Sequence, residues 1–197
     1  MARELKRICV YCGSSLGAKT QYKEAAQKLG KELALRKIGV VYGGASVGLM
    51  AEVANAALNQ GGEAIGVIPE FMIEKELAHK GLSQLHIVNS MHERKALMAE
   101  LSDAFIALPG GFGTFEELFE TLTWAQLNLH NKPCGVLNVN NYYDKLLDFL
   151  DFSSTEGFVK EDTRALLISD SSIEGLLDKF TTYSANLSSI WTDTKKT

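Results

Sequence analysis

Short apolar runs alternate with longer amphipathic stretches along the whole chain. Ile8-Cys9-Val10-Tyr11-Cys12 is apolar from end to end and predicts a first strand, closed by Gly13-Ser14-Ser15. Tyr22, Ala25, Ala26, Leu29 and Leu33 then recur at the period of a helix with one buried face. Ile38 to Tyr42 predicts a second strand, ended by Gly43-Gly44. A helix from about Gly48 carries Leu49, Val53, Ala56 and Ala57 on one face, and Gly61-Gly62 stops it. Ala64 to Ile68 is a third strand, ended by Pro69. From Glu70 to Gln84 the periodicity weakens, which predicts a loop with a short helical piece. Leu85 to Val88 gives a fourth strand, Met91 to Leu101 a helix, and Ala104 to Leu108 a fifth strand. A glycine turn and a long helix to about Leu129 follow. Pro133 to Val139 is a sixth strand, Tyr142 to about Phe152 a helix, Leu166 to Ser169 a short last strand, and Ile173 to Phe180 a last helix.

Strands this uniformly apolar are buried on both faces, and the helices between them supply the cover. The expected fold is α/β: a Rossmann-like, doubly wound parallel sheet of about six or seven strands with helices on both faces, joined by right-handed crossovers. No repeat or Pro/Ser-rich linker interrupts it, so residues 1–183 are expected to form one domain and the polar stretch 184–197 a frayed tail. In such sheets ligands bind beyond the carboxyl ends of the strands, near the switch in strand order. Gly13-Ser14-Ser15, Gly43-Gly44-Ala45-Ser46, Ser90 to Lys95, and Pro109 to Glu117 all follow strands, so they are expected to converge on one edge.

Composition narrows the picture modestly. With 197 residues, 46% of them hydrophobic, the chain can bury a sizeable core. No apolar run is long enough to span a bilayer, and Met1 to Arg7 lacks a signal-peptide pattern, so a cytoplasmic location is expected. A net charge of −4 argues against a general grip on nucleic acid, and no membrane partner is expected. Three cysteines give no disulfide framework. Cys9 and Cys12 form a C-x-x-C, but residues three apart in a strand face opposite sides, and no second pair or histidine completes a metal site.

The most telling string is Pro109-Gly110-Gly111-Phe112-Gly113-Thr114-Phe115-Glu116-Glu117, which joins a strand to a helix. Its glycines let the backbone turn tightly and leave room for a ligand against bare N–H groups. Those groups at a helix start attract an anion, most often a phosphate. Thr114, Glu116 and Glu117 add a hydroxyl and two carboxylates, a combination suited to chemistry on a phosphorylated small molecule. Thr114-x-x-Glu117 also reads as a capping box, with Thr114 as N-cap. That role leaves the three glycines unexplained.

Met91-His92-Glu93-Arg94-Lys95 opens the preceding helix, where cations oppose the dipole at about 0.3–1 kcal/mol each. Either these charges are solvated, with Glu93 softening the penalty, or Arg94 faces the cleft as partner of an anion, with Lys95 nearby. Gly43-Gly44-Ala45-Ser46-Val47-Gly48 is a second glycine turn, explained by close packing or by ligand contact. It is not G-x-G-x-x-G, and no acidic residue follows at the position that holds a ribose of NAD, so a dinucleotide cofactor is discounted. There is no Walker lysine and no G-x-S-x-G elbow. His79, His86, His92 and His130 lack metal-ligand spacing. Ser14 and Ser15 either cap the next helix or touch a ligand.

Taken together, Pro109-Gly110-Gly111-x-Gly113-Thr114-x-x-Glu117 and the upstream Met91-x-x-Arg94-Lys95 resemble the LOG ("lonely guy") family of cytokinin riboside 5'-monophosphate phosphoribohydrolases. The resemblance runs from Ile8-Cys9-Val10-Tyr11-Cys12-Gly13-Ser14-Ser15 to Asn138-Val139-Asn140-Asn141-Tyr142-Tyr143, through Ser102 to Leu108 and Thr123-Trp124-Ala125-Gln126-Leu127. Many members carry an older lysine decarboxylase label, which no pyridoxal-phosphate lysine context supports here.

The resemblance implies cleavage of the N-glycosidic bond of an adenosine-type nucleoside 5'-monophosphate, N6-prenylated forms included, to free base and ribose 5-phosphate. It implies a catalytic pair, Arg94 and Glu117. Lys95, Gly110, Gly111, Gly113 and Thr114 match the family's phosphate and sugar contacts, and Glu116 is grouped with these substrate-binding residues. Glu76 and Thr123 fall at further substrate contacts, while Ser14, Gly44 and Met91 line the same pocket. No cofactor or metal is implied, and a homodimer with the site near its interface is. Bond cleavage builds oxocarbenium-like charge on the sugar. Glu117 would stabilise it and orient or deprotonate water, and Arg94 would anchor substrate and polarise the leaving base. Ala45 and Ala51 stand where the family has glycines, and the loop Phe71 to Gln84 departs from the plant pattern. Two other functions fit the same motifs: an AMP nucleosidase of purine turnover, and a nucleotide-binding or carrier protein without turnover.

Overall fold

Side chains alternate along each strand, so one set of residues reaches each face of the sheet. Ile8 and Val10 join Val40, Tyr42, Ala104 and Ile106 in one core layer, while Cys9 and Tyr11 join Val41, Ile65, Phe105 and Ala107 in the other. The computed structural model describes residues 3–73 and 78–184. Within them the strands are β1 (Arg7–Tyr11), β2 (Gly39–Tyr42), β3 (Ala64–Pro69), β4 (Gln84–Val88), β5 (Ala104–Ala107), β6 (Cys134–Leu137) and β7 (Leu167–Asp170). They form one seven-stranded sheet, ordered β4-β3-β2-β1-β5-β6-β7, with every pair parallel. The α/β expectation of six or seven parallel strands holds.

The helices are α1 (Thr20–Leu35), α2 (Gly48–Asn59), α3 (Met91–Glu100), α4 (Phe112–Gln126), α5 (Asp144–Thr155), the short α6 (Glu161–Arg164) and α7 (Ile173–Thr182). Ala26, Leu29 and Leu33 of α1, Leu49 and Val53 of α2, and Leu176 and Phe180 of α7 cover the first face. Met98 of α3, Leu118 of α4 and the half-buried Leu146, Leu147 and Leu150 of α5 cover the second. Full burial of such side chains contributes about 1.5–3 kcal/mol each. Cys9 and Cys12 lie in opposite layers, both buried and free, so the C-x-x-C forms no redox pair.

Some boundaries differ from expectation, each for a local reason. Helix α5 begins at Asp144 because Asn140 and Asn141, at φ 52° and 60°, turn the chain left-handed just before it. Helix α4 ends at Gln126, and Asn128 (φ 57°) closes it. Helix α6 is one turn long, too short to show a period. The N-cap position of α1 is Lys19, so neither Ser14 nor Ser15 caps it. Residues 185–197 of the expected tail lie outside the described residues.

The order places the topological switch between β1 and β5. One connection from β1 leads outward through β2 to β4, and the next returns across the sheet to β5. Tyr11 pairs in register with Ala107, so the turns after both strands emerge side by side.

Candidate functional site

The turn after β5 has all its carbonyls engaged. Leu108 O accepts from Tyr143 Oη at 2.7 Å, Pro109 O from Gly13 N at 3.1 Å, Gly110 O from Tyr142 Oη at 2.5 Å, and Gly111 O from Phe115 N at 3.1 Å. In a trans peptide the C=O and the following N–H point in opposite directions. Tying the carbonyls to the protein therefore turns the N–H groups of Gly110, Gly111 and Phe112 the other way. Those groups form a row at the start of α4.

Helix α4 starts at Phe112 with Gly111 as N-cap, in extended conformation and without a side-chain cap. This corrects the expected capping box: Thr114 lies inside the first turn, 3% exposed, and is not the N-cap. The helix begins earlier because the glycines need no side-chain cap to turn. The first-turn N–H groups have no intrahelical acceptor and carry the positive end of the helix dipole. Gly110 is needed by the protein itself, since a Cβ there would lie 2.1 Å from Thr114 Oγ1. At Gly111 and Gly113 a Cβ would meet nothing within 4 Å, and neither has a positive φ. The fold does not demand glycine at either place; a close-lying ligand would.

Arg94 is 5% exposed on α3. Its Nη1 meets the thioethers of Met72 at 3.5 Å and Met91 at 3.9 Å, and its Nε has no hydrogen-bond partner. A Cβ on Gly43 would stand 2.0 Å from Nη2, so this glycine makes room for the guanidinium. Arg94 is thus turned inward and is not a solvated surface charge. Burying a charge is expensive unless an opposite charge joins it, so the position favours an anion. Glu117 is half-buried one turn into α4. Burial pushes the Cys9 thiol well up from its ordinary range, the Glu117 charge pushes the same way, and the Arg94 charge opposes it. Both charges therefore act on one point under the sheet's second face. Tyr11 Oη lies 2.9 Å from Thr121 Oγ1, which donates to Glu117 O at 2.8 Å, anchoring this part of α4 to β1.

Lys95 is buried on α3 and held by Glu116 and, at 3.0 Å, by Glu120. Burial works to lower its pKa, but the hydrogen bonds to the two carboxylates outweigh it and the amine sits above its ordinary value. In this geometry Lys95 and Glu116 clasp α3 to α4. Met91 supports the Arg94 guanidinium. Gly44 turns the chain after β2 with φ 79°, and the exposed Ser14 backs against Gly48. Thr123 is exposed, bonds its own helix at Phe119 O, and lies roughly 13 Å along α4 from Thr114 at 1.5 Å per residue. It lines an apolar groove with Phe119, Leu122 and Leu150 rather than the cleft. Glu76 lies outside the described residues. A cleft of about 200 Å³ opens beside the turn, walled by Gly13, Leu16, Tyr22, Gly110, Gly111 and Tyr142. Among the described residues no group of His, Cys, Asp or Glu is placed to hold a metal ion.

Gly43, Met72, Tyr142 and Tyr143 were not singled out as site residues from the sequence. Gly43 left a signal as part of the second glycine turn, and Tyr142 and Tyr143 as part of the string that carries the family resemblance; Met72 left none. These features define a class: a doubly wound α/β protein with an anion-accepting helix start at its topological switch point. A family model described as "Possible lysine decarboxylase" matches residues 50–180. The cytokinin riboside 5'-monophosphate phosphoribohydrolase of Rhodococcoides fascians is 53% identical over 173 residues, 87% of each chain. The protein of Oryza sativa subsp. japonica named cytokinin riboside 5'-monophosphate phosphoribohydrolase LOG is 50% identical over 178 residues, 90% of this chain and 74% of that one. The chain belongs to this LOG family, which the family model describes as possible lysine decarboxylases. A solved structure of the molybdenum cofactor binding protein from Rippkaea orientalis matches with a TM-score of 0.66 over 89% of this chain and 94% of that one; at 22% identity the likeness is one of fold.

Proposed function

We propose that the protein is a phosphoribohydrolase that cleaves the N-glycosidic bond of adenosine-type nucleoside 5'-monophosphates, cytokinin forms with an N6-prenyl group included, to free base and ribose 5-phosphate. The observation that carries this reading is the bare start of α4, with two glycines the fold does not require, beside buried Arg94 and half-buried Glu117. About half-identity to relatives named for this reaction supports it.

The phosphate sits on the N–H groups of Gly111, Phe112 and Gly113, so binding far from the reacting bond fixes the sugar. Glu117 faces the anomeric carbon, stabilises its developing positive charge and takes the proton of the attacking water. The C–O bond forms as the C–N bond breaks; the base leaves with the bonding pair and takes a proton from solvent, while Glu117 returns to solvent the proton it took from water. Arg94 holds the substrate and polarises the departing base.

A decarboxylase using a pyridoxal-type cofactor fits these residues poorly. Such a cofactor needs a lysine free to lose its proton and form a Schiff base. Lys95 is clamped by two carboxylates that keep it charged.

The same reading makes the protein a cytoplasmic homodimer with its site near the interface. Phe71 is 58% exposed next to Met72, and Phe112 is 92% exposed at the start of α4, so apolar surface borders the site where a second subunit would cover it. Among the described residues no helix is long and apolar enough to cross a membrane.

The test is incubation with AMP and with isopentenyladenosine monophosphate, followed by chromatography for free base. Release from the prenylated substrate at the higher rate marks a cytokinin enzyme, and preference for AMP marks a purine nucleosidase. Binding of both without release of base from either would leave a carrier.

A further inference from the structure

We infer that Tyr142 is the positioning residue of the phosphate cradle: its hydroxyl orients the Gly110–Gly111 peptide so that the Gly111 N–H points at the ligand. The inference rests on the reading that the start of α4 holds a 5'-phosphate. Gly111 is the N-cap residue, so its peptide lies outside the ladder that orders the rest of α4. A peptide between two glycines is free to flip, and a flip would replace a donor by a carbonyl oxygen facing the anion. The bond from Tyr142 Oη to Gly110 O opposes that flip, and it comes from a residue 32 positions away.

The segment that delivers Tyr142 has a defined turn. Asn140 and Asn141 are both left-handed, at φ 52° and 60°, a conformation that asparagine adopts more readily than other residues with a side chain. Asn138 pins the segment, accepting from Tyr143 N at 2.8 Å and donating to Asp144 at 2.7 Å. Tyr143 Oη then holds Leu108 O while Tyr142 Oη holds Gly110 O. The Tyr142 ring rests edge-on against Tyr22, with centroids 5.8 Å apart, which fixes the hydroxyl.

The experiment is calorimetric titration of wild type and Tyr142→Phe with inorganic phosphate, AMP and adenosine, alongside steady-state kinetics on AMP. Removing one hydrogen bond that orders the cradle is expected to weaken phosphate and AMP binding about three- to tenfold, to raise KM to match, and to leave kcat and adenosine binding within about twofold. Equal loss for AMP and adenosine would overturn the inference, because the ring would then act only as packing. Unchanged phosphate affinity would overturn it too. If wild type bound neither phosphate nor AMP, the cradle itself would be refuted before Tyr142 came into question. Amide exchange in the unaltered protein is a second readout: phosphate is expected to slow exchange at Gly111, and no slowing overturns the inference even if Tyr142→Phe folds poorly.

Discussion

Two neighbouring helices begin at the same edge of the sheet in opposite ways. Helix α3 closes its own start: Ser90 Oγ accepts from Glu93 N at 3.1 Å, and Glu93 Oε2 accepts from Asn89 N at 2.8 Å. Helix α4 leaves its start open, with Gly111 as cap and no side chain across the first N–H groups. Where Ser90 and Glu93 fold their own side chains over the helix start, binding Glu93 N and Asn89 N, α3 contributes a side chain, Arg94. Where glycine caps the helix, the backbone N–H groups stay uncapped by a side chain and are the proposed binding group. Lys95, Glu116 and Glu120 bind the two helices together, so side-chain cation and backbone cradle are held as one unit.

The largest effect is expected where the open helix meets chemistry. Glu117→Gln should reduce kcat by about 10²–10⁴-fold while AMP still binds, as loss of a positioned acid–base group does. Single-turnover assays with calorimetry decide it, and near-wild-type turnover would reduce α4 to a shelf for the ligand. Next comes a glycine that the fold does not require. Gly113→Ala should weaken AMP binding about tenfold, or ~1.4 kcal/mol. The same change should raise stability by about 0.5–1 kcal/mol, because alanine is the better helix former in open space. A variant both more stable and equally tight-binding would break the contrast.

On the closed helix the expectation reverses. Ser90→Ala should lower stability by about 0.5–2 kcal/mol in urea unfolding, through loss of a cap, and should leave inorganic phosphate affinity unchanged. Weaker phosphate binding there would mean the two starts share one ligand.

The smallest expected effect lies at the far end of α4. His130 Nε2 lies 3.0 Å from Thr121 O, and Nδ1 accepts from Lys132 N at 3.1 Å, an arrangement that suits the neutral ring. Burial lowers the His130 pKa from its ordinary 6.5, against the bond to Thr121 that raises it. The unfolded chain therefore takes up the proton first. The stability contributed by His130 is complete above pH 6.5 and is lost as pH falls through the folded-state value. Urea midpoints between pH 7.5 and 5.5 should fall, and His130→Gln should flatten the slope in that window.

Much of this architecture was legible locally. Uniform apolar runs such as Ile8 to Cys12 and Ala104 to Leu108 marked buried parallel strands, and the glycine string marked the turn that matters. The period of a strand also separated Cys9 from Cys12. The caps were less legible, because the same S/T-x-x-E pattern stands at Ser90-x-x-Glu93 and at Thr114-x-x-Glu117, and of these two it closes the helix only at the first. At the second, three glycines let the helix begin before the threonine.

The order of residues along the chain determined which segments would be strands and helices and which turn would be rich in bare N–H groups, since side-chain period and glycine content act over a few residues. Which way Arg94 faces, what Lys95 holds, why Gly43 is small and how Tyr142 and Tyr143 aim the β5 turn were decided only when distant segments met. Burial of a charge and orientation of a peptide depend on neighbours brought close by the sheet, and no local pattern records them.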